Sequence, residues 1–222
     1  MNPKDTIETL VDGRALAVKL FDILRAKTSD AVGITRESFA AGEEEAIGII
    51  KTVAESQGLT TEMDAAANLV VSLPGREAET PFVACGSHLD SVPQGGNFDG
   101  AAGVIAGLIC LSRIKTDCVT TLKNVKLVVL RGEESAWYGK ACVGSNALFG
   151  MLTPEDLASV HRKNATTLGD ALRRAGAEVE RIEKGETLLD PTSVAAFLEL
   201  HIEQGPVMVE RDLPTAIVTG IR

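Results

Sequence analysis

Aromatic side chains are scarce in this sequence: one tryptophan, one tyrosine and six phenylalanines among 222 residues. With alanine, valine, leucine and glycine abundant instead, the composition fits a helix-covered, largely parallel sheet better than a β-sandwich. Positive charge is also short, 22 Lys and Arg against 31 Asp and Glu for a net charge of −9. That balance argues against nucleic acid or an anionic membrane as partner, because both need basic surface. No apolar run reaches the length of a membrane span, and Met1-Asn2-Pro3-Lys4-Asp5 lacks the apolar core of a signal peptide. A cytoplasmic protein is therefore expected. Its four cysteines, Cys85, Cys110, Cys118 and Cys142, show no paired spacing and fall largely in apolar segments. They read as reduced core thiols rather than disulfides or sulfur ligands. Histidine is limited to His88, His161 and His201.

What is present is a hydrophobic fraction of 45%, enough for one full core, and alternating helix and strand patterns without internal repeats. Apolar spacing predicts amphipathic helices over residues 5–27 and 36–56, then strands over 60–63 and 68–73. A buried helix follows over 101–111, apolar on every side, and a strand over 125–130. Thr153 with Pro154, and Asp190 with Pro191, are helix-start signals, and 168–174 reads as a surface helix. A strand over 197–202 presents His201. The fold class is α/β, a mostly parallel central sheet flanked by helices.

Chemistry concentrates in three places. Directly after the apolar run 81–85 comes Gly86-Ser87-His88-Leu89-Asp90-Ser91-Val92-Pro93-Gln94-Gly95-Gly96-Asn97-Phe98-Asp99-Gly100. Histidine and carboxylates form a ligand set for zinc or a similar ion, and the glycines let the backbone turn Asp99 back beside His88. The strand over 125–130 stops at Glu133-Glu134, and the segment Ala196 to Gly205 carries His201. Three strands of one sheet delivering ligands at their C-terminal ends would converge on one rim. Adjacent glutamates allow one to bind metal while its neighbour acts as a base.

Simpler readings stand beside these. His201 could be a core histidine paired with Glu199. Glu43-Glu44-Glu45 reads as a solvated helix face, because consecutive helical positions point in different directions. His161, beside Arg162 and Lys163, reads as surface. Trp137 and Tyr138 could line a pocket or plug a sheet edge.

His88-Leu89-Asp90-Ser91-Val92-Pro93 with Gly95-Gly96 and Phe98-Asp99-Gly100, then Glu133-Glu134, Gly144-Ser145 and Glu199-Leu200-His201-Ile202-Glu203-Gln204-Gly205-Pro206, resemble the ordered motifs of a known family. It is the carbamoylase and allantoate amidohydrolase branch of the dinuclear-zinc amidohydrolases, which also holds ureidopropionases and is related to aminoacylase-like metallopeptidases. The resemblance runs from about residue 10 onward. It implies a metal-dependent hydrolase of linear C-N bonds in N-carbamoyl amino acids or allantoate; an acylamino acid or dipeptide substrate, or a non-catalytic metal- or partner-binding remnant, are the alternatives. It implies a small-molecule substrate, a homodimer for the complete enzyme, and two divalent ions: zinc first, with manganese, cobalt or nickel as alternatives.

The same resemblance assigns roles. His88 and His201 would bind one ion, Glu134 the other, and Asp99 would bridge them. Asp90 would orient His88, Glu133 would be the general base and Gln204 would contact substrate. It further implies a sharp turn after Asp99 through a cis bond to Gly100. The family's last metal histidine and its lid domain lie in later motifs, so residues 1–212 are expected to form the N-terminal part of the catalytic domain and 213–222 the start of the lid. Ser135-Ala136-Trp137-Tyr138 and Asn146 depart from the family pattern, a departure that bears on substrate more than metal.

Overall fold

The computed structural model describes residues 12–77 and 81–220. Helix α1, Gly13–Thr28, starts at Asp12, whose carboxylate accepts the Arg14 amide, and buries Leu16, Leu20 and Leu24 at four-residue spacing. The part of the expected helix before residue 12 lies outside the described residues. Helix α2 is Ala41–Ser56, shorter than the expected 36–56. Arg36 instead exchanges hydrogen bonds with Ser91, and Phe39 sits at φ 57°, a conformation no helix interior accepts.

Strands β1 (Thr60–Met63), β2 (Leu69–Leu73), β3 (Phe82–His88), β4 (Val125–Leu130) and β5 (Val194–Leu198) form one sheet in the order β1-β2-β4-β3-β5. The sheet is mixed. β1 and β2, and β2 and β4, pair antiparallel, whereas β3 lies parallel to both β4 and β5. Those three parallel strands end on the same rim. Helix α3, Ala101–Thr116, crosses between β3 and β4 and buries Val104, Ile105, Leu108 and Leu111 against the sheet and α1.

The helices α4 (Val143–Leu148), α5 (Pro154–Leu157), α6 (Leu168–Arg174) and α7 (Val179–Glu183) build a second core around Trp137, Leu168, Leu172 and Ile182. Thr153 caps α5 through a reciprocal pair of bonds with Asp156, as its sequence implies. The Asp190-Pro191 signal yields only a 3₁₀ turn, Pro191–Ser193, before β5. A last short helix, α8, spans Val207–Glu210.

β5 corrects one expectation: it ends at Leu198, so His201 lies past the strand and not on it. Pairing with β3 stops at Cys85 opposite Leu198. Glu199 then leaves the ladder, and the Ser87 hydroxyl donates to its carboxylate at 2.5 Å. The cysteines are free, as expected; Cys85 packs against the first core, but Cys110, Cys118 and Cys142 are exposed and are not core thiols. Burial, and to a lesser degree Cys110, pushes the Cys85 thiol up to about 11.

Candidate metal centre

His88 is the last residue of β3 and is buried. Its Nδ1 lies 3.0 Å from the Asp90 carbonyl and 3.4 Å from Asp90 Oδ1, while Nε2 faces Glu133 Oε2 at 3.8 Å. A ring held by a carboxylate on one nitrogen presents the other as a ligand. Burial pulls the imidazole down, but the hydrogen bond and charge of Asp90, helped by Glu133, outweigh it and raise His88 to about 9.

Asp90 is more than the orienter expected from sequence. Its Oδ2 accepts the Ser38 hydroxyl at 2.6 Å and the Glu134 amide at 3.0 Å, and its Oδ1 accepts the Glu133 amide at 3.1 Å. One buried carboxylate thus joins the end of β3 to the Glu133-Glu134 loop. Burial alone would raise Asp90; contact with His88, then Ser38 and the Glu134 amide, holds it below its ordinary value.

Asp99 comes back beside His88, though not through a cis bond. Among the described residues no peptide bond is cis. Gly100 takes φ 62°, ψ −46°, and the Ala101 amide donates back to the Asp99 carbonyl at 2.6 Å, a tight three-residue turn. A Cβ at position 100 would stand 2.4 Å from the His88 carbonyl oxygen, so glycine provides both the sign of φ and the room. Asp99 Oδ1 lies 3.2 Å from His201 Nε2, and Oδ2 accepts Gln204 Nε2 at 2.8 Å.

Two triads of donor atoms result, His88 with Asp99 and His201, and His88 with Glu133 and Glu134, each within 4.8 Å. Imidazole and carboxylate are ligands that suit a divalent ion such as zinc. Asp99 Oδ1 is buried without a hydrogen bond, as an oxygen reserved for a cation would be. The residues present therefore fit a divalent metal. Burial, with Glu133 and other carboxylates nearby, raises Glu134 despite the pull of His88; a cation would oppose that rise.

Residues 68–187 match peptidase family M28. The chain belongs to this family. Over 212 residues it is 35% identical to an N-carbamoyl-L-amino acid amidohydrolase of Geobacillus stearothermophilus, covering 96% of this chain and 51% of that protein. It is 31% identical over 166 residues to allantoate amidohydrolase of Escherichia coli K12, covering 75% of this chain and 39% of that protein. The crystal structure of a hydantoinase/carbamoylase family amidase from Burkholderia ambifaria aligns with a TM-score of 0.75 at 31% identity, over 90% of this chain and 48% of that one. This M28 member thus spans about half the length of the curated relatives it matches.

Two readings from sequence need correction, both because the covering partner comes from another part of the chain. Glu43 is not solvated; it is fully buried against Arg131, with Oε2 2.9 Å from Nε and 2.6 Å from Nη2. His161 is not surface, since its ring stacks on Trp137 with centroids 5.6 Å apart and meets the edge of Tyr138 at 5.1 Å. Trp137 and Tyr138, which the sequence left open between a pocket wall and a sheet-edge plug, are buried in the second core, and Trp137 Nε1 donates to the Ser91 carbonyl at 2.7 Å. Trp137 therefore ties the segment after Glu134 to the loop after His88, while Tyr138 packs against Phe39 and His161. Sequence reasoning missed Ser38 and Arg131. Only the charge of Arg131 at the end of an apolar strand gave a signal, since a buried cation requires a partner.

Proposed function

We propose that the chain carries the metal-binding rim of a metal-dependent amidohydrolase that cleaves the linear C-N bond of a carbamoyl or ureido group, as in N-carbamoyl amino acids or allantoate. The observation that carries this reading is the convergence of His88, Asp99, Glu133, Glu134 and His201 past the ends of three parallel strands. Names of the relatives support the substrate class.

In this reading His88, Asp99, Glu134 and His201 would hold two divalent ions, zinc first, whose charge would supply polarisation of the scissile carbonyl and a lowered pKa for water. Glu133, partly exposed beside His88, takes a proton from the attacking water and returns it to the leaving nitrogen. Asp90 keeps Nδ1 of His88 engaged so that Nε2 stays free for the site. Gln204, exposed beside Asp99, contacts substrate at the rim.

Zinc titration of the chain, and turnover by the whole protein that contains it, test the assignment. Glu134→Gln should lose metal, whereas Glu133→Gln should keep it and lose turnover. Equal metal loss in both variants would refute the division of labour between the two glutamates. Ammonia release from an N-carbamoyl amino acid, set beside amino-acid release from an N-acyl one, tests the substrate class. Turnover of the acyl compound alone would overturn it.

A further inference from the structure

The acidic run Glu43-Glu44-Glu45 sits in the first turns of α2, where successive side chains diverge by about 100°. Glu45 points out to Lys27 at 3.2 Å, and Glu44 remains half exposed while reaching Arg131 at 2.6 Å. Glu43 points inward. Its Oε2 accepts from Nε and Nη2 of Arg131 and from the Phe39 amide at 2.7 Å, and its Oε1 accepts the Gly132 amide at 3.2 Å. A fully buried carboxylate with four N–H donors is part of a built network, because each bond missing from such a network costs desolvation that nothing returns.

The network continues along the chain. Four consecutive amides that leave β4 each donate to a side-chain oxygen: Arg131 to Asn68 Oδ1 at 3.0 Å, Gly132 to Glu43, and Glu133 and Glu134 to the two oxygens of Asp90. Asn68, Glu43 and Asp90 are buried and come from three separate segments. Asp90 reaches the loop from the His88 side. Glu43 holds the same loop from α2, gripping both the Arg131 side chain and the next backbone amide.

We propose that Glu43 is a positioning residue for the Glu133-Glu134 pair, fixing through Arg131 and Gly132 where the two glutamates face His88. It touches neither ligand nor substrate. The proposal deepens the functional reading above and rests on it for the link to metal binding. Glu43→Gln keeps the shape but places an amide against the guanidinium; Arg131→Lys keeps the charge but loses the two-pronged contact. Ile50→Val loosens the same helix without touching residues 131–134.

Two measurements on the chain decide the matter: amide hydrogen exchange of metal-free protein, read on peptides spanning 131–134 and on β3, and the zinc Kd by competition with a chromophoric chelator. In Glu43→Gln, exchange over 132–134 should accelerate at least tenfold, roughly as expected from losing a shared acceptor, while β3 keeps its protection. The zinc Kd should weaken by about tenfold or more, as for other residues that orient ligands. Arg131→Lys should move both readouts in the same direction by less, and Ile50→Val should move neither.

A folded Glu43→Gln with unchanged loop exchange and Kd overturns the proposal. So does exchange that rises uniformly through the sheet, which would make Glu43 a stabiliser of the fold alone. If Glu43→Gln does not fold, Arg131→Lys decides on the same two readouts; failure of both to fold also overturns the positioning role. Wild-type chain that binds no zinc would refute the metal reading of the site, while the exchange measurement would still decide what Glu43 does to the loop.

Discussion

Two oxygens of Asp90 meet the His88 ring, the Ser38 hydroxyl and two backbone amides in a site closed to water. Asn at this position keeps one acceptor and turns an N–H toward groups that are themselves donors. Asp90→Asn should therefore destabilise the fold by roughly 1 to 3 kcal/mol, the range for a buried group left unsatisfied, and weaken zinc binding about 10- to 100-fold through His88 and the glutamate loop. Urea unfolding and zinc competition would measure the two effects separately. Unchanged unfolding with weakened zinc binding would mean that Asp90 serves the histidine alone and that the loop is held elsewhere. From sequence, Asp90 was legible as the neighbour of His88, two residues along one strand end. Its grip on Glu133 and Glu134 was not, because 43 residues separate the partners.

At the scale of elements, the connection from α1 to α2 braces the glycine-rich loop after β3. Ile34 and Gly95 exchange backbone hydrogen bonds at 3.0 and 2.8 Å, and the Thr35 hydroxyl accepts the Gln94 amide at 3.0 Å. Asp30 folds this connection on itself: its carboxylate accepts the Val32 and Gly33 amides, each at 2.8 Å, and the Thr35 hydroxyl. The Gly33 amide foremost, then Thr35 and Val32, draw Asp30 from its ordinary 3.8 down to about 2. A carboxylate lowered in the folded state adds stability that is complete above its unfolded value and disappears as pH falls through its folded value. The melting temperature of the wild type should thus fall further between pH 4 and pH 2 than that of Asp30→Asn, as scanning calorimetry would record. Parallel falls in the two proteins would show that the turn keeps its bonds without the charge.

For the whole molecule, α3 and α2 carry equal shares of the first core, and Leu108 at the middle of α3 is fully buried in that cluster. Leu108→Ala should cost about 2 to 5 kcal/mol, the removed methyl groups plus the cavity they leave. Denaturant unfolding followed by circular dichroism would measure it; a loss below about 1 kcal/mol would mean that the site collapses around the smaller side chain.

Sequence by itself determined the elements whose signals are local. Helical spacing in α1, α3 and α6, the short apolar strands, the Thr153-Pro154 start and the glycine beside Asp99 all act within a few residues, so one stretch of chain carries the whole signal. The proposed ligand positions were legible in the same way, because they lie at or after strand ends and strand ends can be read from apolar runs. Only the tertiary structure decided which charges were interior. Glu43 and Glu45 are alike in sequence, yet one closes on Arg131, 88 residues away, and the other faces solvent beside Lys27. His161 is interior because its ring stacks on Trp137, which α4 to α7 enclose in the second core. Burial and pairing of a polar group depend on what the fold brings against it, and that information is spread over segments that meet only when the sheet has formed.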